Sequence, residues 1–152
     1  MIQGVEIKEL VTHADERGFF REVIRSTDPF FKEGFAQWSH TKTLQGAAKA
    51  WHVHQKQVDW WYVAIGAVKV ALYDLRADSP TRGELMEIFM GEEHGAKVLR
   101  VPPGVAHGYK VIEGPAHLFY ITSRLYDSSD EGRLPHDDPQ IGYDWTKGPE
   151  IK

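Results

Sequence analysis

The sequence predicts an all-β fold, a jelly roll of short strands closed around a ligand-sized interior. Two observations carry that prediction. Short runs rich in Val, Ile, Phe, Tyr and Trp recur along the chain between clusters of Gly, Pro, Asp and Ser, the pattern of a sandwich or barrel. Sustained helical periodicity is scarce. Strands closed into two facing sheets leave room inside for a small molecule.

Taken in order, Val5 to Val11 alternates as a short strand, and His13 to Gly18 is polar enough to be a turn. Phe19 to Ile24 and Phe35 to Thr41 are strand-like, separated by a loop or short helical turn carrying Pro29. Thr43 to Ala48 is a turn. From Trp51 onward strand signals dominate. Trp60 to Ile65 and Val68 to Leu75 flank Gly66-Ala67, which reads as a tight hairpin turn. The adjacent Trp60 and Trp61 face opposite ways in a strand, one lining the interior and the other packing outside, available to a second subunit. Ala77 to Gly83 is a loop that Pro80 keeps out of central pairing. Leu85 to Met90 and Lys97 to Val101 are strands around a Gly91 to Gly95 turn. Tyr109 to Ile112 and Ala116 to Thr122 read as a hairpin about Glu113-Gly114-Pro115. Beyond Tyr126 the chain is polar and turn-rich, with Ile141 to Trp145 as its last apolar island.

With 152 residues the chain suits one domain spanning 1–152. The formal net charge of −4 argues against non-specific nucleic-acid binding. The chain has no cysteine, which excludes disulfides and thiolate chemistry and fits a cytoplasmic location. No apolar run approaches membrane-spanning length, and Met1-Ile2-Gln3-Gly4 does not open a signal peptide.

Chemistry concentrates in two segments. His52 and His54, at i and i+2, point to one face of a strand. The flanking Trp51 and Trp60-Trp61 argue against a pair of surface histidines. Asp59 follows. The second segment, Pro102-Pro103-Gly104-Val105-Ala106-His107-Gly108-Tyr109, adds a third histidine at a turn. Together His52, His54, Asp59 and His107 have the donor types of a divalent transition-metal site.

Gly46, His52-x-His54, Asp59 and Gly66 match the first cupin motif, with Asp where glutamate is usual. Pro102-x-Gly104-x-x-His107 matches most of the second, with Val111 in place of its terminal asparagine. The resemblance implies a cupin-type jelly roll, the double-stranded β-helix. A narrower likeness covers nearly the whole chain. Asp15-Glu16-Arg17-Gly18-Phe19-Phe20-Arg21-Glu22, Trp51-His52, Asp74-Leu75-Arg76, Ser79-Pro80-Thr81, Pro103 to Tyr109, the Tyr120 to Tyr126 spacing, Asp138-Pro139 and Asp144-Trp145 follow the order of the dTDP-4-dehydrorhamnose 3,5-epimerase family, which the chain resembles.

The resemblance implies a homodimeric, metal-free enzyme epimerising a nucleotide-linked 4-keto-6-deoxy sugar. It makes His52 the base and Tyr120 the acid. It puts Arg17, Phe20, Glu22, Gln37 and Lys49 at nucleotide contacts, His107 at a ligand contact and Tyr126 at an aromatic position near the site. The residue types suit the task. A hydrogen beside a ketone is acidic because its anion delocalises onto oxygen. A histidine near pKa ~6.5 can take that proton, and a phenol near ~10 can return one.

Four departures qualify the likeness. Lys49 replaces an arginine and so loses the bidentate fork for phosphate. His54 replaces a residue that is usually glutamine. The family's histidine-orienting aspartate falls beyond Lys152. Asp59 replaces a lysine near the enolate; an anion ~4 Å away would repel that oxygen by about 4 kcal/mol at an effective dielectric of ~20. Asp59 must therefore point elsewhere, pair with a histidine or hold a metal. It is also a candidate third catalytic group, orienting His52. Three other readings use the same residues: a keto-isomerase built on a His-x-His pair, a metal-dependent cupin enzyme, and a non-catalytic sugar-binding cupin.

Overall fold

The computed structural model describes residues 1–147. Ten strands form: β1 (Glu6–Glu9), β2 (His13–Asp15), β3 (Gly18–Phe20), β4 (Gln37–Thr43), β5 (Ala48–His54), β6 (Asp59–Asp74), β7 (Leu85–Gly91), β8 (Lys97–Val101), β9 (Val105–Thr122) and β10 (Glu131–Arg133). Single turns of 3₁₀ helix at Pro29–Phe31 and Glu92–His94 are the only helical elements among the described residues, so the all-β expectation holds. No described helix is long and apolar enough to cross a membrane.

The frame is a ribbon of the two longest strands. β6 and β9 run antiparallel from the Asp59–Thr122 pair to the Asp74–Val105 pair. The first half of β6 pairs with β8, and its second half pairs with β7. β9 likewise pairs first with β5, then with β4. Each half of the ribbon is thus the centre of its own sheet. One sheet reads β1-β8-β6-β9-β4 and the other β7-β6-β9-β5-β10. Folding the ribbon brings the two sheets face to face, which is the jelly roll expected.

Two hairpin readings are corrected by the pairing. Gly66-Ala67 is not a hairpin turn, and Glu113-Gly114-Pro115 does not separate two strands. Both lie inside unbroken strands, where β6 and β9 bend together and the register slips between Val63 and Val68. The slip exchanges the faces of each strand. Trp61 and Val63 point inward before it and Val68, Val70 and Leu72 after it. On β9, Tyr109 and Val111 give way to Ala116 and Leu118. Without that exchange, one half of each strand would turn its apolar set to water. Gly66 permits it, with φ +76° and the backbone oxygens of Glu113 and Pro115 at 2.5 and 2.7 Å from where a Cβ would stand. His13 to Gly18, read as a turn, forms most of the small β2–β3 hairpin, and the strand expected over Phe19 to Ile24 stops at Phe20.

Each outer sheet face has its own cover. Trp51, Val53, Ala71 and Ala106 pack under Ile141 and Trp145. Trp60, Val98 and Val58 pack under Phe30 and Phe31. Trp60 and Trp61 do face opposite ways, but Trp60 is sealed by its own chain, 1% exposed, with its indole N–H donating to the Phe30 carbonyl at 3.0 Å. Asp74, fully buried, accepts from Arg76 at 2.8 Å, Ser79 at 2.6 Å and Thr81 at 2.7 Å, and these donors hold its carboxyl well below the usual range. The Asp74-Leu75-Arg76 and Ser79-Pro80-Thr81 segments are therefore one structural knot that ties the loop after β6.

Gly66→Ala should lower the unfolding free energy by about 2–4 kcal/mol, because it adds backbone overlap to left-handed strain. Gly34→Ala, at φ +77° with nothing within 4 Å of the added Cβ, should lose only about 1 kcal/mol. Urea unfolding of the two variants checks the difference.

Candidate active site

The two sheets enclose a cavity of about 230 Å³. Its lining includes His52, His54, Asp59, His107, Tyr120, Gln37, Lys49 and Tyr126 from the sequence reading, and Gln57, Trp61, Tyr109, Asp127 and Glu131 besides. The strands explain the grouping. On β5, Trp51 and Val53 go to the outer core, so His52 and His54 face in, as their spacing predicts. On β9, His107 pairs in register with His52 before the bend, and Tyr120 pairs with Trp61 after it. His52 and Tyr120 therefore line the cavity from opposite sheets.

His107 is the most enclosed of the three histidines. Its Nδ1 lies 3.0 Å from the Val105 carbonyl, which can only accept, so Nδ1 carries the proton. Nε2 is left with its lone pair turned toward Asp59 Oδ2 at 3.8 Å. Burial pushes the His107 pKa well down, against the pull of the Asp59 charge, and the ring is neutral at pH 7. The His54 ring stacks on it at 5.6 Å, and Trp61 meets it edge-on at 5.3 Å.

Asp59 is buried and already engaged. Oδ1 accepts from the Gln57 amide at 2.7 Å and Oδ2 from the Trp61 indole at 3.3 Å. Its carboxylate is held by the amide and the indole, and the nearest histidine, 3.8 Å away, turns a lone pair to it and donates no hydrogen bond. That histidine is His107, where the sequence reading had Asp59 orient His52. Donor atoms of His54, Asp59 and His107 fall within 4.8 Å of one another. This is three of the four metal ligands considered; His52 stands outside the group. The set fits a divalent transition metal in donor type, and its His107 tautomer leaves Nε2 free for one.

His52 has different company. Its Nδ1 is 3.6 Å from Glu131 Oε1. Burial lowers the His52 pKa below its ordinary value, while the Glu131 charge works in the opposite direction. Burial thus favours the free base. Glu131 escaped the sequence reading because β10 is only three residues long and sits in a polar stretch with no periodicity to read.

Lys49 is the only lysine or arginine among the described residues of the lining, and it donates to Thr41 Oγ1 at 3.2 Å. Gln37 accepts the Tyr126 backbone N–H at 3.1 Å. Arg17, Phe20 and Glu22 are not brought to this cavity. Arg17 pairs with Asp15 at 2.5 Å, Phe20 is 62% exposed on the β2–β3 hairpin, and Glu22 pairs with Arg25 at 2.5 Å.

Comparison with known proteins agrees with this architecture. The dTDP-4-dehydrorhamnose 3,5-epimerase family model matches residues 1–152. The spore coat polysaccharide biosynthesis protein SpsL of Bacillus subtilis is 46% identical over 149 residues, covering 96% of this chain and 97% of that protein. The crystal structure of a dTDP sugar isomerase from Desulfovibrio desulfuricans superposes with a TM-score of 0.90 at 28% identity, covering 97% and 94% of the two chains. An epimerase from Legionella pneumophila, solved in complex with dTDP-4-keto-L-rhamnose, gives 0.86 at 27% identity, with coverage of 99% and 83%. Strand order, the placement of the two histidine segments and likeness along the whole length converge: this chain belongs to the dTDP-4-dehydrorhamnose 3,5-epimerase family.

Proposed function

We propose that the protein epimerises a nucleotide-linked 4-keto-6-deoxy sugar, dTDP-4-keto-6-deoxyglucose or a close analogue, through an enolate. The observation that carries this reading is the pairing of an imidazole and a phenol on opposite walls of one cavity, in a chain of this family. His52 takes the proton beside the ketone as its electrons move to the carbonyl oxygen. Tyr120 gives a proton to the other face of the same carbon, inverting it. Base and acid on one wall would return the proton to the face it left. No cofactor is needed, because the ketone itself holds the electron pair.

The cavity is smaller than the ~300–1,000 Å³ that buries a drug-sized ligand whole, so the sugar sits inside and the nucleotide lies at the mouth. Lys49, His107 and Gln37 contact the ligand from the walls, His54 backs His107, and Tyr126 offers its ring near the nucleotide. One lysine is a weak match for a diphosphate. Arg17, Phe20 and Glu22 fit the nucleotide role only if their hairpin reaches another copy's cavity, and so a homodimer is part of the proposal. Phe19, Phe20, Phe35 and Trp38, exposed at 54–67%, supply its apolar surface. A cytoplasmic location accompanies it. Trp38→Glu should shift the assembly from dimer to monomer, which light scattering reads directly.

Proton NMR of dTDP-4-keto-6-deoxyglucose in deuterated water tests the chemistry. Deuterium at two carbons marks a 3,5-epimerase and at one carbon a mono-epimerase; a moved carbonyl marks the keto-isomerase instead. His52→Ala should slow exchange by ~10²–10⁴-fold, and Tyr120→Phe should slow epimer formation by a similar factor. Undiminished exchange in His52→Ala refutes the assignment. The free base is the active form and burial lowers its pKa, so activity should rise with pH along a limb centred below ~6.5. The second reading, a metal enzyme, rests on the His54, Asp59 and His107 donors. Stoichiometric metal in the purified protein, with activity lost on chelation and restored by the ion, would favour it.

A further inference from the structure

We propose that Glu131 is the positioning carboxylate of the His52 base. The inference rests on the epimerase reading and names a part of its machinery. The cavity lining holds three carboxylates among the described residues: Asp59, Asp127 and Glu131. Asp59 accepts from the Gln57 amide and the Trp61 indole. Asp127 accepts the Ser129 backbone N–H at 2.9 Å and the Ser129 hydroxyl at 2.6 Å. Glu131 alone contacts His52, with Oε1 3.6 Å from Nδ1 and its side chain 14% exposed.

The fold holds that carboxylate from three sides. Tyr126 donates its hydroxyl to Oε2 at 3.3 Å, and Arg133 donates to Oε1 at 3.1 Å. β10 pairs with β5 so that Glu131 is opposite His54 and Arg133 opposite His52, which puts the Glu131 side chain on the inward face of both histidines. The neighbouring Asp130, 6% exposed, accepts the backbone N–H groups of Gln55, Lys56 and Gln57 at 3.0, 3.0 and 3.2 Å. A three-residue strand anchored this firmly, beside the loop that leaves β5, fixes one side chain against one ring.

A neutral imidazole has a single N–H. A carboxylate facing Nδ1 selects the tautomer with that proton on Nδ1 and leaves the lone pair on Nε2, the nitrogen available to the substrate. When Nε2 takes the substrate proton the ring becomes a cation, and Glu131 is the anion beside it. Glu131 exchanges no proton in the step. The 3.6 Å contact is longer than a hydrogen bond and shortens as the ring charges. Arg133 shares Oε1 and tempers the attraction from the solvent side. His54 and Asp59 also act on the ring electrostatically, and the His107 ring centroid lies 6.3 Å from it.

Glu131→Gln, Glu131→Asp and His52→Ala, compared with the wild type on dTDP-4-keto-6-deoxyglucose, test the assignment. Glu131→Gln keeps the shape and removes the charge; kcat should fall by at least ~30-fold while KM changes less than ~3-fold. Glu131→Asp should recover part of that loss. Two-bond proton–nitrogen NMR of His52 should show the Nδ1–H tautomer in the wild type and a mixture in Glu131→Gln. A kcat within ~3-fold of wild type in Glu131→Gln, or a loss confined to KM, overturns the proposal, the latter making Glu131 a substrate contact. If Glu131→Gln does not fold, Glu131→Ala, which also removes the charge, decides by the same kcat and KM criteria. A wild type inert on nucleotide sugars removes the epimerase reading; the tautomer experiment then still decides whether Glu131 sets the ring.

Discussion

The paired bend in β6 and β9 is the constraint on which the rest of the molecule depends. A strand alternates its side chains with a period of two, and one long strand in two facing sheets would offer its apolar set to the interior in only one of them. The register slip around Gly66 and Pro115 removes that conflict for both strands at once. It is also why His107 and Tyr120, on the same strand at positions of opposite parity, look into one cavity from two walls. The distribution of imidazole and phenol between the walls follows from a backbone irregularity more than from any side chain.

The cavity is a place where several acceptors face one another and the donors are supplied by fixed neighbours. Asp59 stands where a cation would be expected, and the amide of Gln57 and the indole of Trp61 answer for it. The neutral His107 beside it brings no compensating charge. His52 and His107 differ in the groups that hold them. His107 is tied to a backbone carbonyl and is nearly immobile in its protonation. His52 faces a carboxylate and is free to gain charge.

What could be read in the sequence was local. Strand existence, the shared face of His52 and His54, and the histidine in the Pro-Gly turn all follow from spacings of a few residues. Gly66 and Gly114-Pro115 misled because a glycine inside an alternating run marks a turn or a bulge equally well, and only pairing with a distant strand separates the two. The approach of His107 to Asp59, and of Glu131 to His52, depends on contacts between segments far apart in the chain, which no window of sequence contains. Family likeness suggested roles for His52 and Tyr120 but gave Arg17, Phe20 and Glu22 no location, because a single chain does not bring them to its own cavity.

The anchoring of β10 by Asp130 has a consequence for the order of assembly. The loop leaving β5 has three amides that are satisfied only by a residue synthesised more than seventy positions later. On the ribosome the histidine-bearing strand waits, its edge unpaired, until that tail emerges and docks. Maturation of the pocket is thus a late event in the life of each new chain, and a nascent polypeptide halted before Asp130 would expose an open sheet edge to whatever strand it met first.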